Sequence, residues 1–281
     1  MNQNKRFAIV CAVVLMTVVG ALPIVVVAET IVTVGGTGSA LGTMKQLAGL
    51  YEKTHPGVRI RILPSLGSTA GIKAVLDGGI NLGVASRPLK QNEQQQGAVA
   101  VEYARSPFVF ITNATSSKKD ITVPELERIY TDPAPHWPDG SRIRLILRPE
   151  KDIDTSMVRS LSPAMEQAMK AVHARPGMIQ AISDQESTDA VVKTPGALGC
   201  ATLSEIISEK RPVNILTFNG VKPDVKNIAN GIYPLFKSMY VVIAPKTPPV
   251  ARDFAAFVNS RLAGRILSAT GNLPVTTKQG K

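Results

Sequence analysis

The sequence predicts an α/β fold, because strand-like apolar runs alternate with helix-like segments and glycine-bearing turns join them. No internal repeat or low-complexity tract interrupts this alternation. Ile31 to Val34 reads as a strand that leads through Gly35-Gly36-Thr37-Gly38 into a helix over about 39–53. In that helix Leu41, Met44, Leu47, Leu50 and Tyr51 recur at spacings of three and four. Val58 to Leu63 alternates as a strand, and Ser68 is read as the cap of a helix to Leu76 that Asp77-Gly78-Gly79 ends. Strands are expected at Ile80–Ala85, Phe108–Thr112, Ile143–Leu147, 197–201 and Tyr240–Ala244. Helices are expected from Val123-Pro124, at about 155–171, 176–184 and 202–208, and at 249–269, where Phe254, Phe257, Val258, Leu262 and Ile266 share one face. Polar stretches near 113–122 and 219–235 are candidate crossings between two lobes, giving 29–112 with 233–281 as one lobe and 113–232 as the other.

The first 28 residues read as a secretory signal. Asn4-Lys5-Arg6 precedes an uncharged run from Phe7 to Val27, and Val26-Val27-Ala28 offers a small residue for cleavage. An uncleaved anchor is the alternative, since the run is long enough to span a bilayer. Either way the remainder is expected to be exported. Cys11 lies too early in the run to be a lipid-modified residue, and its loss would leave Cys200 as the sole thiol. Stability would then come from an apolar core and not from a disulfide. Cys200, within Gly196-Ala197-Leu198-Gly199-Cys200-Ala201, reads as a buried strand thiol.

The chain holds 32 basic against 21 acidic side chains, a formal charge of +11. The basic residues are dispersed and aromatics are few, so neither a basic tail nor a stacking platform for nucleic acid is visible. Dispersed positive charge can still draw small anions toward a cleft. Gly36-Thr37-Gly38-Ser39 is the natural place for one. The first N–H groups of a helix have no partner inside it, the dipole favours negative charge there, and glycine admits close approach of a ligand. A tight turn with a capped helix accounts for the same residues. Three further turns share this character: Gly67-Ser68-Thr69-Ala70-Gly71, Ser86-Arg87-Pro88, and Arg148 with Asp154-Thr155-Ser156. In an open α/β sheet, loops at the carboxyl ends of strands converge on one cleft.

On these residues the chain resembles the phosphate-binding proteins of ABC uptake transporters, within the type II periplasmic binding-protein superfamily. The most specific stretch is Leu66-Gly67-Ser68-Thr69-Ala70-Gly71-Ile72-Lys73, followed by Leu76-Asp77-Gly78-Gly79-Ile80-Asn81-Leu82-Gly83-Val84-Ala85-Ser86-Arg87-Pro88-Leu89. Leu126-Glu127-Arg128-Ile129-Tyr130 with Trp137, and Pro195-Gly196-Ala197-Leu198-Gly199-Cys200, are similar to two later family segments. The resemblance implies two α/β lobes, each with a mixed sheet, and an anion held between them. It further implies a periplasmic, monomeric solute-binding protein that delivers phosphate to a membrane ABC permease, without catalysis, cofactor or metal. Carried over by position, Gly38, Ser39 and Ala40 would donate from the first turn, where the Thr37 hydroxyl can add a donor, and Ser68 would donate from the second, joined there by Thr69. Arg87 and Arg148 would supply charge, and Thr155 and Ser156 would close over the ligand.

One motif departs from the family. Where phosphate binders follow the arginine with serine-glycine-threonine, Arg148 is followed by Pro149-Glu150-Lys151-Asp152-Ile153-Asp154-Thr155-Ser156. A carboxylate beside a phosphate oxygen repels it unless a proton or an arginine intervenes. Either Asp154 caps a helix beginning at Thr155, or the ligand is not inorganic phosphate. A sensing or protein-interaction module with a degenerate cleft is therefore the alternative on the same fold.

Other readings fit less well. Gly36 to Gly42 also reads as a variant dinucleotide turn, but Arg61-Ile62-Leu63-Pro64-Ser65 offers no acid for a ribose. His55, His136 and His173 lie outside the cleft turns, and no nucleophile elbow surrounds Ser39 or Ser68, which disfavours a hydrolase. Asp152 and Asp154 lack the histidines of a metal site.

Overall fold

The computed structural model describes residues 29–275. The expected signal, residues 1–28, lies outside the described residues, and no described helix is long and apolar enough to cross a membrane. The chain opens with β1 (Thr30–Gly36), α1 (Gly38–Thr54), β2 (Val58–Ile62), α2 (Gly67–Asp77), β3 (Leu82–Ala85), α3 (Gln91–Gln95) and the long β4 (Val99–Asn113). Then come β5 (Asp120–Ile121), α4 (Val123–Thr131), β6 (Arg144–Leu147), α5 (Ile153–Arg159), α6 (Pro163–Ala174), β7 (Ile179–Gln180), α7 (Asp184–Lys193), β8 (Ala197–Thr202) and α8 (Leu203–Glu209). The chain closes with β9 (Val213–Ile215), β10 (Thr217–Phe218), α9 (Val225–Ala229), β11 (Phe236–Ile243), α10 (Pro249–Val258), α11 (Arg261–Ala269) and β12 (Leu273–Pro274).

The main sheet runs β2-β1-β3-β11-β4-β8-β6-β7. β2, β1 and β3 are parallel to one another, as are β8, β6 and β7, while β11 and β4 join the two sets by antiparallel pairing. Each half is therefore a mixed sheet, the arrangement expected of two α/β lobes. One core gathers Val34, Met44, Leu47, Tyr51, Tyr103 and Phe254, and the other gathers Phe108, Phe110, Trp137, Leu147, Met169 and Leu198. The chain thus passes from one core to the other inside β4, between Ala104 and Phe108. Residues 108–112, expected with the first lobe, pack in cores of the second, and Ile121 beyond them does so too.

Local chemistry explains where helices and strands depart from expectation. The periodic run 249–269 is two helices, because Ser260 caps a new one: its Oγ accepts from the Ala263 N–H at 3.2 Å. Ser260→Ala is expected to cost about 1 kcal/mol, read as a fall of about 2–4 °C in the melting midpoint by circular dichroism. The run 155–171 breaks likewise at Ser162, whose Oγ accepts from the Met165 N–H ahead of Pro163. Residues 176–183 are not helical. Pro176-Gly177 turns the chain into β7, and the helix begins at Asp184 behind the Ser183 cap. The two central strands of the sheet path, β4 and β11, start earlier than their apolar cores suggest, at Val99 and Phe236. Ser68 does not cap α2; Leu66 holds the cap position without a side-chain bond, and Ser68 lies in the first turn.

Gly36 ends β1 at φ +146°, and a Cβ there would stand 1.8 Å from the Val84 carbonyl oxygen. The parallel β1–β3 pair therefore needs glycine where the chain turns out of the sheet toward α1.

Candidate functional site

β1 and β3 run in one direction and β6 in the opposite one, and their carboxyl ends deliver Thr37, Ser86 and Arg148 to one cleft that α2 also lines through Ser68. Three hydroxyls meet there. Thr37 Oγ1 donates to Ser86 Oγ at 3.3 Å, Ser68 and Ser86 Oγ lie 3.2 Å apart, and the Ser86 N–H donates to Ser68 Oγ at 2.9 Å. The Ser68 that leaves the α2 cap unfilled is thus spent on the neighbouring turn. Ser156 and Lys151 line the opposite wall.

Arg87 is on the same rim but its charge is taken. The buried Glu93 carboxylate accepts both guanidinium arms, at 2.9 and 2.7 Å, while Thr69 Oγ1 accepts from Nη2 at 3.2 Å. The guanidinium bond holds Glu93 below the usual carboxylate range. Glu93 was not among the expected site residues.

Behind the hydroxyls lies a buried cluster of charges. Lys237, 2 % exposed, forms an ion pair with Asp154 and lies 3.4 Å from Asp184 Oδ1. Its ammonium also donates to Ser39 Oγ at 3.2 Å, and Ser39 Oγ donates to Asp184 Oδ1 at 2.7 Å. Arg148 Nη1 donates to the Ala181 carbonyl at 2.9 Å and Nη2 to Asp152 at 3.0 Å. Its guanidinium lies 3.8 Å from Asp154 and 4.0 Å from Asp184, and Nε has no hydrogen-bond partner. Three carboxylates thus face two cations in a space with little water.

The charges respond to that setting. Burial lifts Asp154 to about 6, with Lys237 restraining the rise. Burial also works against the Asp184 charge, yet Lys237, Arg148 and the Ser39 hydroxyl outweigh it and hold Asp184 below the ordinary range. Lys237 is pushed up, since Asp154 and Asp184 outweigh its own desolvation. On α8, burial and then the charge of Asp184 lift Glu205 to about 8. Glu205 Oε1 accepts from Thr188 Oγ1 at 2.9 Å, while Oε2 has no partner.

The wall after β6 differs from the reading in which Asp154 caps a helix beginning at Thr155. Asp152, not Asp154, caps the helix, accepting from the Asp154 N–H at 2.9 Å, and α5 begins at Ile153. Asp154 is then turned inward to Lys237. Thr155 Oγ1 donates to the Arg148 carbonyl at 3.1 Å and so fixes the turn from behind, where closure over a ligand was expected of it. Ser156 Oγ donates to the Asp152 carbonyl at 3.0 Å.

α1 begins where the second lobe is closest. Gly38, Ser39, Ala40, Gly42 and Thr43 are all buried, and a Cβ on Gly38 would meet Gln185 Oε1 at 2.4 Å and Asp184 Oδ2 at 2.6 Å. The Ala40 N–H donates to the Thr37 carbonyl at 3.3 Å. Gln185 Nε2 donates to the Gly38 carbonyl at 3.1 Å, and Ser204 Oγ to the Ser39 carbonyl at 3.2 Å. The small residues of this turn admit the other lobe.

Lys237, Asp184 and Glu93 are the members that spacing alone did not single out, and Ser86 was named within its turn without a role of its own. Lys237 carried one usable signal, a lone cation in the apolar stretch Tyr233-Pro234-Leu235-Phe236-Lys237, since a charge in a buried strand demands a partner. Cys200 is a buried thiol on β8, 4.0 Å from Asp154, and burial raises its pKa well above the ordinary value. His55 stacks on Tyr51, His136 is exposed, and His173 Nε2 faces the Arg148 carbonyl at 2.9 Å. Among the described residues no group of three or more His, Cys, Asp or Glu side chains is placed to hold a metal.

Residues 26–261 of the chain fit the family model described as the PBP superfamily domain. The chain belongs to the PBP superfamily. Among curated PBP relatives, the phosphate-binding protein PstS of Bacillus subtilis is 24% identical over 251 residues, covering 87% of this chain and 80% of that protein. A Clostridium perfringens protein solved with bound phosphate, and described as a phosphate ABC transporter substrate-binding protein, superposes with a TM-score of 0.74 at 22% identity, covering 88% of this chain and 100% of that one. The periplasmic molybdate-binding protein of Azotobacter vinelandii superposes at 0.61 with 18% identity, covering 86% and 98%. At such identities the superpositions establish the PBP fold itself, two lobes around a cleft.

Proposed function

We propose that this protein is an exported solute-binding protein that captures a small oxyanion, phosphate in the first instance, between its lobes and delivers it to an ABC permease. The observation that carries this reading is the convergence of the Thr37, Ser68 and Ser86 hydroxyls with Arg148 at the carboxyl ends of the strands, beside the N-terminus of α1. Curated relatives named for phosphate binding support it, as does the basic excess of the chain. On this reading the chain catalyses nothing, acts as a monomer after loss of residues 1–28, and has lobes that meet within β4 and again at the start of β11. Isothermal titration with phosphate, sulfate, arsenate and phosphonates is expected to give micromolar or tighter binding of one of them. Arg148→Ala is expected to weaken it by at least tenfold through loss of the cleft's forked cation. No heat with any oxyanion would sink the reading.

A second reading keeps the fold as a sensing or protein-interaction module, and one observation favours it. Asp154 and Asp184 already satisfy Lys237 inside the cleft. An unchanged scattering profile on adding each oxyanion would then accompany the missing heat.

A further inference from the structure

The Asp184 carboxylate sits among partners that suit a bound oxyanion. It lies against the first turn of α1, where Gly38 leaves room for it and where unpaired N–H groups and the helix dipole favour negative charge. It accepts from Ser39 Oγ at 2.7 Å, has the Lys237 ammonium 3.4 Å away and the Arg148 guanidinium 4.0 Å away. Arg148 Nε, on a side chain almost fully buried, has no hydrogen-bond partner and lies 3.8 Å from Asp154, the other carboxylate of this cluster. Asp184 belongs to α7 of the second lobe, whereas Ser39 and Gly38 belong to the first. The carboxylate therefore bridges the lobes as a captured anion would.

Building on the anion-capture reading, we propose that Asp184 is an internal competitor for the cleft: it occupies the anion seat at the start of α1, holds the lobes together in the empty protein, and must be displaced before an oxyanion binds. Two anions cannot share the seat, since their repulsion in a dry site far exceeds its value in water. Only the fraction of molecules with Asp184 withdrawn accepts ligand, so the measured dissociation constant is the intrinsic one divided by that fraction, and is higher. The neighbouring Gln185 strengthens the latch through its bond to the Gly38 carbonyl and another to Glu209 at 2.9 Å. Asp184 thus sets affinity from the lobe opposite the donors.

The test is phosphate titration of the wild type, Asp184→Asn and Gln185→Ala, with small-angle scattering of each without ligand. Asp184→Asn keeps the side-chain shape but removes the charge, and is expected to bind phosphate at least tenfold more tightly than the wild type. It is also expected to be more open when empty and to contract on binding. Gln185→Ala leaves every charge in place and is expected to tighten binding a few-fold by loosening the latch, which keeps the proposal testable if Asp184→Asn folds poorly. Wild-type binding that neither variant improves, or an equally compact empty variant, overturns the role of Asp184 and leaves anion capture standing. No binding by any of the three folded proteins overturns both.

Discussion

Lys237→Met is expected to lower stability by about 3–5 kcal/mol, because it strips the cation from two buried carboxylates at once. Lys237 is 2 % exposed, paired with Asp154 and Asp184, and bonded to Ser39. Arg148 stays, but at 3.8 and 4.0 Å and with Asp152 already in its grasp, so it cannot replace the lost ammonium. In a chain of this size the loss corresponds to a fall of roughly 6–20 °C in melting temperature. Differential scanning calorimetry would read it directly. The deficit should shrink as pH falls below 6, because Asp154, lifted to about 6 even with the lysine present, then carries a proton and no unpaired charge. A variant melting within a degree of the wild type at pH 8 would show that the cluster is not the buried ionic unit described.

Glu205→Gln is expected to act in the opposite direction, stabilising the protein at alkaline pH. Glu205 is fully buried on α8, and burial followed by the charge of Asp184 lifts it from an ordinary 4.5 to about 8. The folded chain therefore keeps this proton across a range in which the unfolded chain releases it. The resulting contribution to stability is complete below about pH 4.5 and is lost as pH rises through 8. The loss is on the order of a few kcal/mol. Glutamine preserves the acceptor for Thr188 without a titrating group, so the stability advantage of Glu205→Gln should widen steadily between pH 5 and pH 9 in denaturant titrations. An advantage that does not change with pH would contradict the buried, proton-holding carboxyl.

The fold was legible from the chain because it depends on period and punctuation. β1, α1, β2 and β3 each carry an uninterrupted apolar pattern with a glycine or polar stop. Where a serine could serve either as a surface residue or as a cap, as at Ser162 and Ser260, periodicity ran two helices together. β4 was recognised only over its most apolar third, because Glu102 and Arg105 obscure the strand while pairing with each other at 2.7 Å. The turns of the site could be named one by one, but their pairings could not. Asp184 follows a serine and has Glu186 two residues on, which reads as an ordinary helix start, and that is also what it is. Its partners Ser39, Arg148 and Lys237 stand 145, 36 and 53 residues away, and nothing local announces such a meeting. Likewise Arg87 read as a free cation until Glu93, six residues on, was seen to clasp it.

β4 deserves a mechanical reading as well as a topological one. A single strand lends Tyr103 and Ala104 to one core and Phe108 and Phe110 to the other, while β11 runs beside it from Val99 to Pro107. Melting either lobe would strip a central strand from its neighbour. Sliding or hinging of the halves is therefore a twist of this shared ribbon, and heat should take the two lobes apart as one cooperative unit.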